Sequence, residues 1–204
     1  MKQKDTYAKR ALIMIVGSIV FGMGIGFCNA ADLGMDPMSV FSDGIHQTIS
    51  ITLGQANALL SIVEIAIAFV LNRKNVSLIT LATIFTVSIG IDLVGLFHIG
   101  NLTMLLRVVF MVMGFLIYTF GIAITQNSGI GYSGYDSFIF SLGTLFHTES
   151  YHLLRWGTDG LFLILGFLLG GTIGICTALV LIAAGKVTEW WLKQIEGFRS
   201  RIHA

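Results

Sequence analysis

Leu33-Gly34-Met35-Asp36-Pro37-Met38-Ser39-Val40-Phe41 and Ile130-Gly131-Tyr132-Ser133-Gly134-Tyr135-Asp136-Ser137-Phe138 are two short stretches of the same kind, each set directly after a long apolar run. Both are too polar to cross a bilayer, and both read as helix starts. Asp36 before Pro37 is an N-cap with proline at the first helical position, and Ser133 to Asp136 has the Ser-x-x-Asp form of a capping box. In the first copy Met38, Phe41 and Ile45 share one face of the helix, while Ser39, Ser42, Asp43 and His46 share the other. Such an amphipathic helix either lies at a membrane interface or dips inward.

The likeness extends backwards from these stretches. An offset of 97 residues superposes Arg10 on Arg107, Met14 on Met111, Gly17 on Gly114, Gly24 on Gly121, Ile25 on Ile122, Gly34 on Gly131 and Phe41 on Phe138. Further on, an offset of 95 brings Glu64 onto Asp159 and Gly90 onto Gly185, with little else. The chain therefore reads as two copies of one unit, residues 10–97 and 105–192, within a single transmembrane domain, 1–204.

Composition sets the solvent. Of 204 residues, 55% are hydrophobic and 11% charged, a balance that belongs in a bilayer rather than in water. A hydrocarbon core of about 30 Å takes about 20 helical residues per crossing, so six crossings use roughly 120 positions and leave no room for a soluble domain. The six apolar runs are 11–31, 55–71, 76–97, 105–125, 153–169 and 171–192, the second being the shortest. Long runs without alternation suit helices, which satisfy their own backbone in lipid, so the fold class is all-α: six transmembrane helices in two three-helix repeats, each with a short amphipathic or re-entrant helix after its first crossing. Three crossings per half make the repeats inverted, the architecture of many secondary transporters and of some channels. The first run exceeds a signal-peptide core and has its copy in mid-chain, so it is expected to remain as helix one.

Orientation follows from the basic residues. Lys2, Lys4, Lys9 and Arg10 precede the first run, Arg73 and Lys74 fill the second connection, and Lys193, Arg199 and Arg201 follow the last run. Asp32, Asp36 and Asp43 lie in the first connection, which has no base. The positive-inside rule puts both termini in the cytoplasm of a plasma-membrane protein, with Trp156, Trp190 and Trp191 at the same interface. A formal charge of +1 gives no electrostatic case for nucleic acid. Cys28 and Cys176 lie far apart without metal-ligand spacing, so neither a disulfide framework nor a zinc site is expected. No cofactor motif is present.

At these positions the chain resembles the YczE/YyaS/YitT family of bacterial integral membrane proteins. The resemblance rests on the Arg-x6-Gly first helix (Arg10, Gly17), its glycines, the loop of Gly34, Pro37 and Ser39, and the second set Arg107, Gly114, Gly131, Gly134 and Asp136. The second loop has Gly134 in place of Pro37 and Asp136 in place of Ser39, so one half alone supplies an acid there. The resemblance implies a six-helix membrane protein in a transporter role, without naming a substrate.

Two groups of residues are candidates for function. Glu64 and Asp159 sit inside crossings, where an ionisable side chain costs at least about 2.5 kcal/mol and is by default functional; they are the expected proton-coupling pair. Arg155, four residues before Asp159, offers a structural alternative as its ion-pair partner. If the two short helices point into the membrane, their free amides form facing sites for an anionic group, lined by Asp36, Ser39, Tyr132, Ser133 and Asp136; plain helix capping explains the same residues. Lys186 with Glu189, and Asp92 with Arg107, are expected as structural pairs. Ser18, Gly22, Gly26 and Ala30 form a smooth stripe for close packing, inside the chain or against another subunit.

Gly131-Tyr132-Ser133-Gly134 matches the Gly-x-Ser-Gly of intramembrane serine proteases, but 171–192 contains no histidine to serve as base, His147 and His152 lie beyond the same loop and are expected on the cytoplasmic side, and His46, His98 and His203 have no metal-ligand spacing. The chain is not expected to be an enzyme. The expected function is transport of a small solute through a site between the repeats, coupled to protons. Two alternatives stand beside it. One is a substrate-binding membrane subunit of a multi-component importer, which brings in a membrane partner or a homo-oligomer; the other is a structural or regulatory membrane protein without solute traffic.

Overall fold

The computed structural model describes residues 2–97, 103–148 and 150–202; His98 and His203 lie outside them. The described residues form eight α-helices and no strand: α1 (Lys2–Ala31), α2 (Pro37–Thr48), α3 (Leu53–Leu71), α4 (Leu78–Gly95), α5 (Met104–Ser128), α6 (Gly134–Phe146), α7 (Tyr151–Leu168) and α8 (Ile175–Ile202), with a single 3-10 turn, Arg73–Asn75, between α3 and α4.

Local chemistry starts each helix. Asp36 caps α2 by accepting from the Ser39 amide, with Pro37 in the first turn. Thr52 with Gln55 and Ser77 with Thr80 form capping boxes on α3 and α4. Ser133 caps α6 by accepting from the Asp136 amide, but the reciprocal half of the expected box differs: the Asp136 carboxylate takes the Ser133 hydroxyl at 2.9 Å. Gly129, at φ 63°, ends α5 in the left-handed conformation that glycine adopts at least cost.

Five helices, α1, α3, α4, α5 and α8, are long and apolar enough to cross a membrane. The fifth run read from the sequence became α7, whose first half carries Arg155, Thr158 and Asp159. The outer surface is strongly apolar. Val70, Leu78, Phe85, Ile164 and Ile182 stand exposed, while Glu64, Asp43, Asn57 and Ser39 are buried. That inversion is what a lipid solvent selects and water does not.

Packing is dominated by α1, which lies along α5 and, on another side, along α4. Two sets of glycines serve these contacts. A Cβ on Gly22 would meet the Val87 carbonyl oxygen of α4 at 2.1 Å, and one on Gly26 would meet Val94, so the stripe of small residues is covered within the chain. Gly24 and Gly121 face the other way, against the backbones of Tyr118 and Phe21. The short helices cross over: α2 seats on α7, and α6 seats on α3.

α2 buries Ser39, Ser42, Asp43 and Gly44 and leaves Met38, Phe41 and Ile45 part-exposed, so its polar face points inward. There Asp43 accepts from the Thr172 amide at 2.8 Å and from Gln47, tying α2 to the connection between α7 and α8. In α6 the serines Ser137 and Ser141 are likewise fully buried.

The expected charge pairs fall differently. Arg107 meets Asp32 at 2.9 Å, not Asp92. Glu189 pairs with Lys193, not Lys186, at 2.8 Å, since Glu four residues before Lys is the better helical arrangement. Asp92 instead accepts from the Thr52 hydroxyl at 2.8 Å and the Gly54 amide at 3.0 Å. A carboxylate at the end of α4 thus meets the free amides that start α3, where the helix dipole favours it. Asp92→Ala should therefore lower stability in detergent by about 1–3 kcal/mol, and Asp92→Asn by less, as followed by thermal unfolding. An unchanged midpoint in the alanine variant would mean that water replaces the carboxylate at no cost.

Candidate functional site

A cavity of about 510 Å³ runs through the interior and takes lining residues from all eight helices. Its size suits a small molecule. The N-termini of both short helices open on it, through Asp36, Pro37, Met38 and Ser39 of the first and Ser133, Gly134, Tyr135 and Asp136 of the second. These helices start there because Asp36 and Ser133 cap them, so the capping chemistry also positions the cavity's polar groups.

Arg155 of α7 forms the centre of a charged cluster. Its Nη1 donates to the Tyr151 hydroxyl at 2.8 Å and lies 3.8 Å from Asp136 Oδ1; its Nε lies 3.7 Å from Asp159 Oδ2. The tyrosines complete the arrangement: Tyr151 donates to Asp136 at 2.6 Å and Tyr135 donates to Asp159. The guanidinium also lies over the rings of Tyr135 and Tyr151, at 5.4 and 5.9 Å. One cation thus bridges two acids from different helices, α6 and α7, and both acids are hydrogen-bonded by phenols.

Asp36 lines the same cavity without such a partner. One oxygen accepts from the Ser39 amide at 3.2 Å, and among the described residues no base lies within ion-pair distance of it. Ser39 lies fully buried beneath it. Asn57 and Ser61, one turn apart on α3, also line the cavity, as does Tyr118 of α5.

Two of the residues singled out from the sequence are elsewhere. Tyr132 lies just before the α6 cap and is half-exposed; its ring stacks on Phe140 and its carbonyl accepts from Thr80. Glu64 is 2% exposed and does not line the cavity; both carboxylate oxygens are buried without a hydrogen-bond partner among the described residues. Asp159, its offset counterpart, does line the cavity.

Sequence reasoning used Arg155 only as a partner of Asp159 and passed over Tyr118, Tyr135, Tyr151, Asn57 and Ser61. The signal present was Arg155 itself, a cation within a run otherwise apolar enough to be taken as a crossing. It also separated Cys28 and Cys176, whose sulfurs lie 3.5 Å apart as buried free thiols joining α1 to α8.

Residues 8–193 match a family of unknown function, DUF6198. The chain belongs to that family. It is similar to an uncharacterized protein of Haemophilus influenzae, 26% identical over 187 residues, which are 92% of this chain and 85% of that protein. It is also similar to the uncharacterized protein YyaS of Bacillus subtilis, 25% identical over 185 residues, 89% of this chain and 91% of the relative. These relatives agree with a YyaS-type family. No solved structure matches the chain.

Proposed function

We propose that this DUF6198 protein is a carrier, not an enzyme, that moves a small solute across the plasma membrane, coupled to protons. The solute occupies the cavity between two inverted three-span halves, residues 10–97 and 105–192, with both termini in the cytoplasm. The observation that carries this reading is the 510 Å³ cavity itself, polar where the two short helices begin and set within a body whose exterior is apolar. The reciprocal seating of α2 on α7 and α6 on α3 supports the two-fold plan, as do the paired glycines between α1 and α5. In this reading α7 is the fifth of six spans, its polar first half turned to the cavity. The inward polar face of α2 supports a re-entrant position in preference to an interfacial one, since an interfacial helix turns its polar face to water. The small-residue stripe of α1 is occupied by α4 and gives no support to a docking subunit.

Glu64 is the proton-coupling group in this scheme. An ionised carboxylate with neither oxygen partnered is expensive in such surroundings, whereas the neutral acid is not. A change in access that wets Glu64 would let the proton leave. The reading is tested by flux in proteoliposomes over a panel of metabolites, with and without a proton gradient; no flux of any solute would favour a structural or regulatory role. Glu64→Gln keeps the shape of the side chain and removes the titration. Gradient-driven accumulation should fall by about tenfold or more, while the unfolding midpoint holds or rises. Accumulation equal to wild type would exclude Glu64 as the coupling site.

A further inference from the structure

We propose that the cavity takes a small organic cation, its charge set against Asp36 and its hydrogen-bonding groups against Asn57 and Ser61. This names the substrate class of the transporter proposed above, and so rests on that reading for its purpose while its geometry stands separately.

Charge is the first argument. Among the described residues Asp36, Asp136, Asp159 and Glu189 line the cavity against one base, Arg155. Arg155 is already committed between Asp136 and Asp159, and Glu189 to Lys193 at the rim. Asp36 is left as the lining carboxylate with no described base within ion-pair distance, and at 8% exposed what reaches its open side comes from the cavity.

At the two helix starts the Ser39 amide is held by Asp36 and the Asp136 amide by Ser133. An anionic solute reaching the amides that remain would sit beside uncompensated acid.

The second, independent observation is polar capacity without a partner. Asn57 and Ser61 are 2% and 6% exposed and line the cavity. Neither side chain hydrogen-bonds a described residue, yet neither has its polar atoms sealed off, so those atoms open on the cavity. Buried amides and hydroxyls of this kind are expected to be satisfied by a ligand or by water. Phe21, Tyr118 and Trp156 add aromatic surface to the lining, which suits an organic cation. A bare metal ion is a poor fit, because among the described residues no three His, Cys, Asp or Glu side chains come together to hold one.

The experiment is equilibrium binding to the purified full chain in detergent, by calorimetry. Ethanolamine, choline and benzyltrimethylammonium serve as cations. The comparison ligands are the neutral alcohol in which carbon replaces the nitrogen of choline, and tert-butylacetate, an anion of similar shape. At least one cation should bind saturably and about tenfold or more tighter than the neutral and anionic analogues. Asp36→Asn should weaken it by about tenfold or more, since asparagine caps a helix as well as aspartate and removes only the charge. Asn57→Ala provides a second variant away from the cap, with a loss of about threefold or more. Absence of saturable cation binding, tighter binding of the neutral or anionic analogue, or unchanged affinity in Asp36→Asn would each overturn the proposal. Cation binding that depends on Asp36, with no flux in proteoliposomes, would keep this assignment and remove the transporter reading. Flux of neutral or anionic solutes alone would keep the transporter reading and remove this one.

Discussion

Gly121→Leu should abolish the folded protein. A Cβ at Gly121 would lie 2.3 Å from the Phe21 amide nitrogen and 2.5 Å from its Cα. Across the same seam, a Cβ at Gly24 would lie 2.3 Å from the Tyr118 nitrogen. These neighbours are backbone and cannot rotate away, so α1 and α5 would have to separate along the most extensive contact in the molecule. Ordinary overpacking costs about 1–3 kcal/mol, and a branched side chain driven into a backbone wall should exceed that range. The expected result is loss of the monodisperse species on size exclusion after extraction. Gly160→Ala is the matched control: nothing lies within 4 Å of the added Cβ, and alanine should leave stability unchanged or raise it by about 0.5–1 kcal/mol. A folded Gly121→Leu protein with a wild-type unfolding midpoint would contradict the packing of α1 on α5 described above.

The second large effect is expected at Arg155. Arg155→Leu leaves Asp136 and Asp159 without the cation between them, each still bound by one tyrosine. Because the arginine side chain is 37% exposed, the loss should fall between that of a surface pair and that of a sealed one, on the order of 2 kcal/mol. Arg155→Lys should recover part of it, since an ammonium cannot reach both carboxylates with a planar fork. A double-variant cycle separates charge from packing. Combining Arg155→Leu with Asp136→Asn should cost about 1 kcal/mol less than the two changes added together. Additive losses would instead assign the role of Arg155 to its stacking on Tyr135 and Tyr151.

Much of the scaffold was legible because it depends on local chemistry. An aspartate before the chain's lone proline starts a helix whatever surrounds it, and Ser133 three residues before Asp136 does the same. The matched glycines at 17 and 114 and at 24 and 121 were visible as an offset, and the structure gives the reason: they are the close contacts of α1 with α5.

The site was harder to read because it is assembled from side chains distant in sequence. Asp136 and Arg155 are brought together by the meeting of α6 and α7, and nothing in either segment announces the other. Tyr132 and Tyr135 look equivalent in the sequence, yet the first precedes the cap and leaves the cavity while the second follows it and enters. α7 was counted as a plain crossing because its apolar second half outweighed the polar turn that lines the site. The amphipathic character of α2 was legible, but amphipathicity alone cannot say which solvent each face meets; here Ser39, Ser42 and Asp43 are buried, while His46, read onto the same face, is exposed.

The crossed seating of the short helices bears on how the polypeptide is made. When α2 leaves the ribosome, the stretch around Gly166 that will pack on Val40, Phe41 and Gly44 is more than a hundred residues from being synthesised. Until then the Asp43 carboxylate lacks the Thr172 amide that it finally accepts from, so the first part of the chain must be sheltered by the insertion machinery or wait at the water boundary. Biogenesis of this protein therefore ends with a late closing step, in which the C-terminal portion locks its predecessor into place.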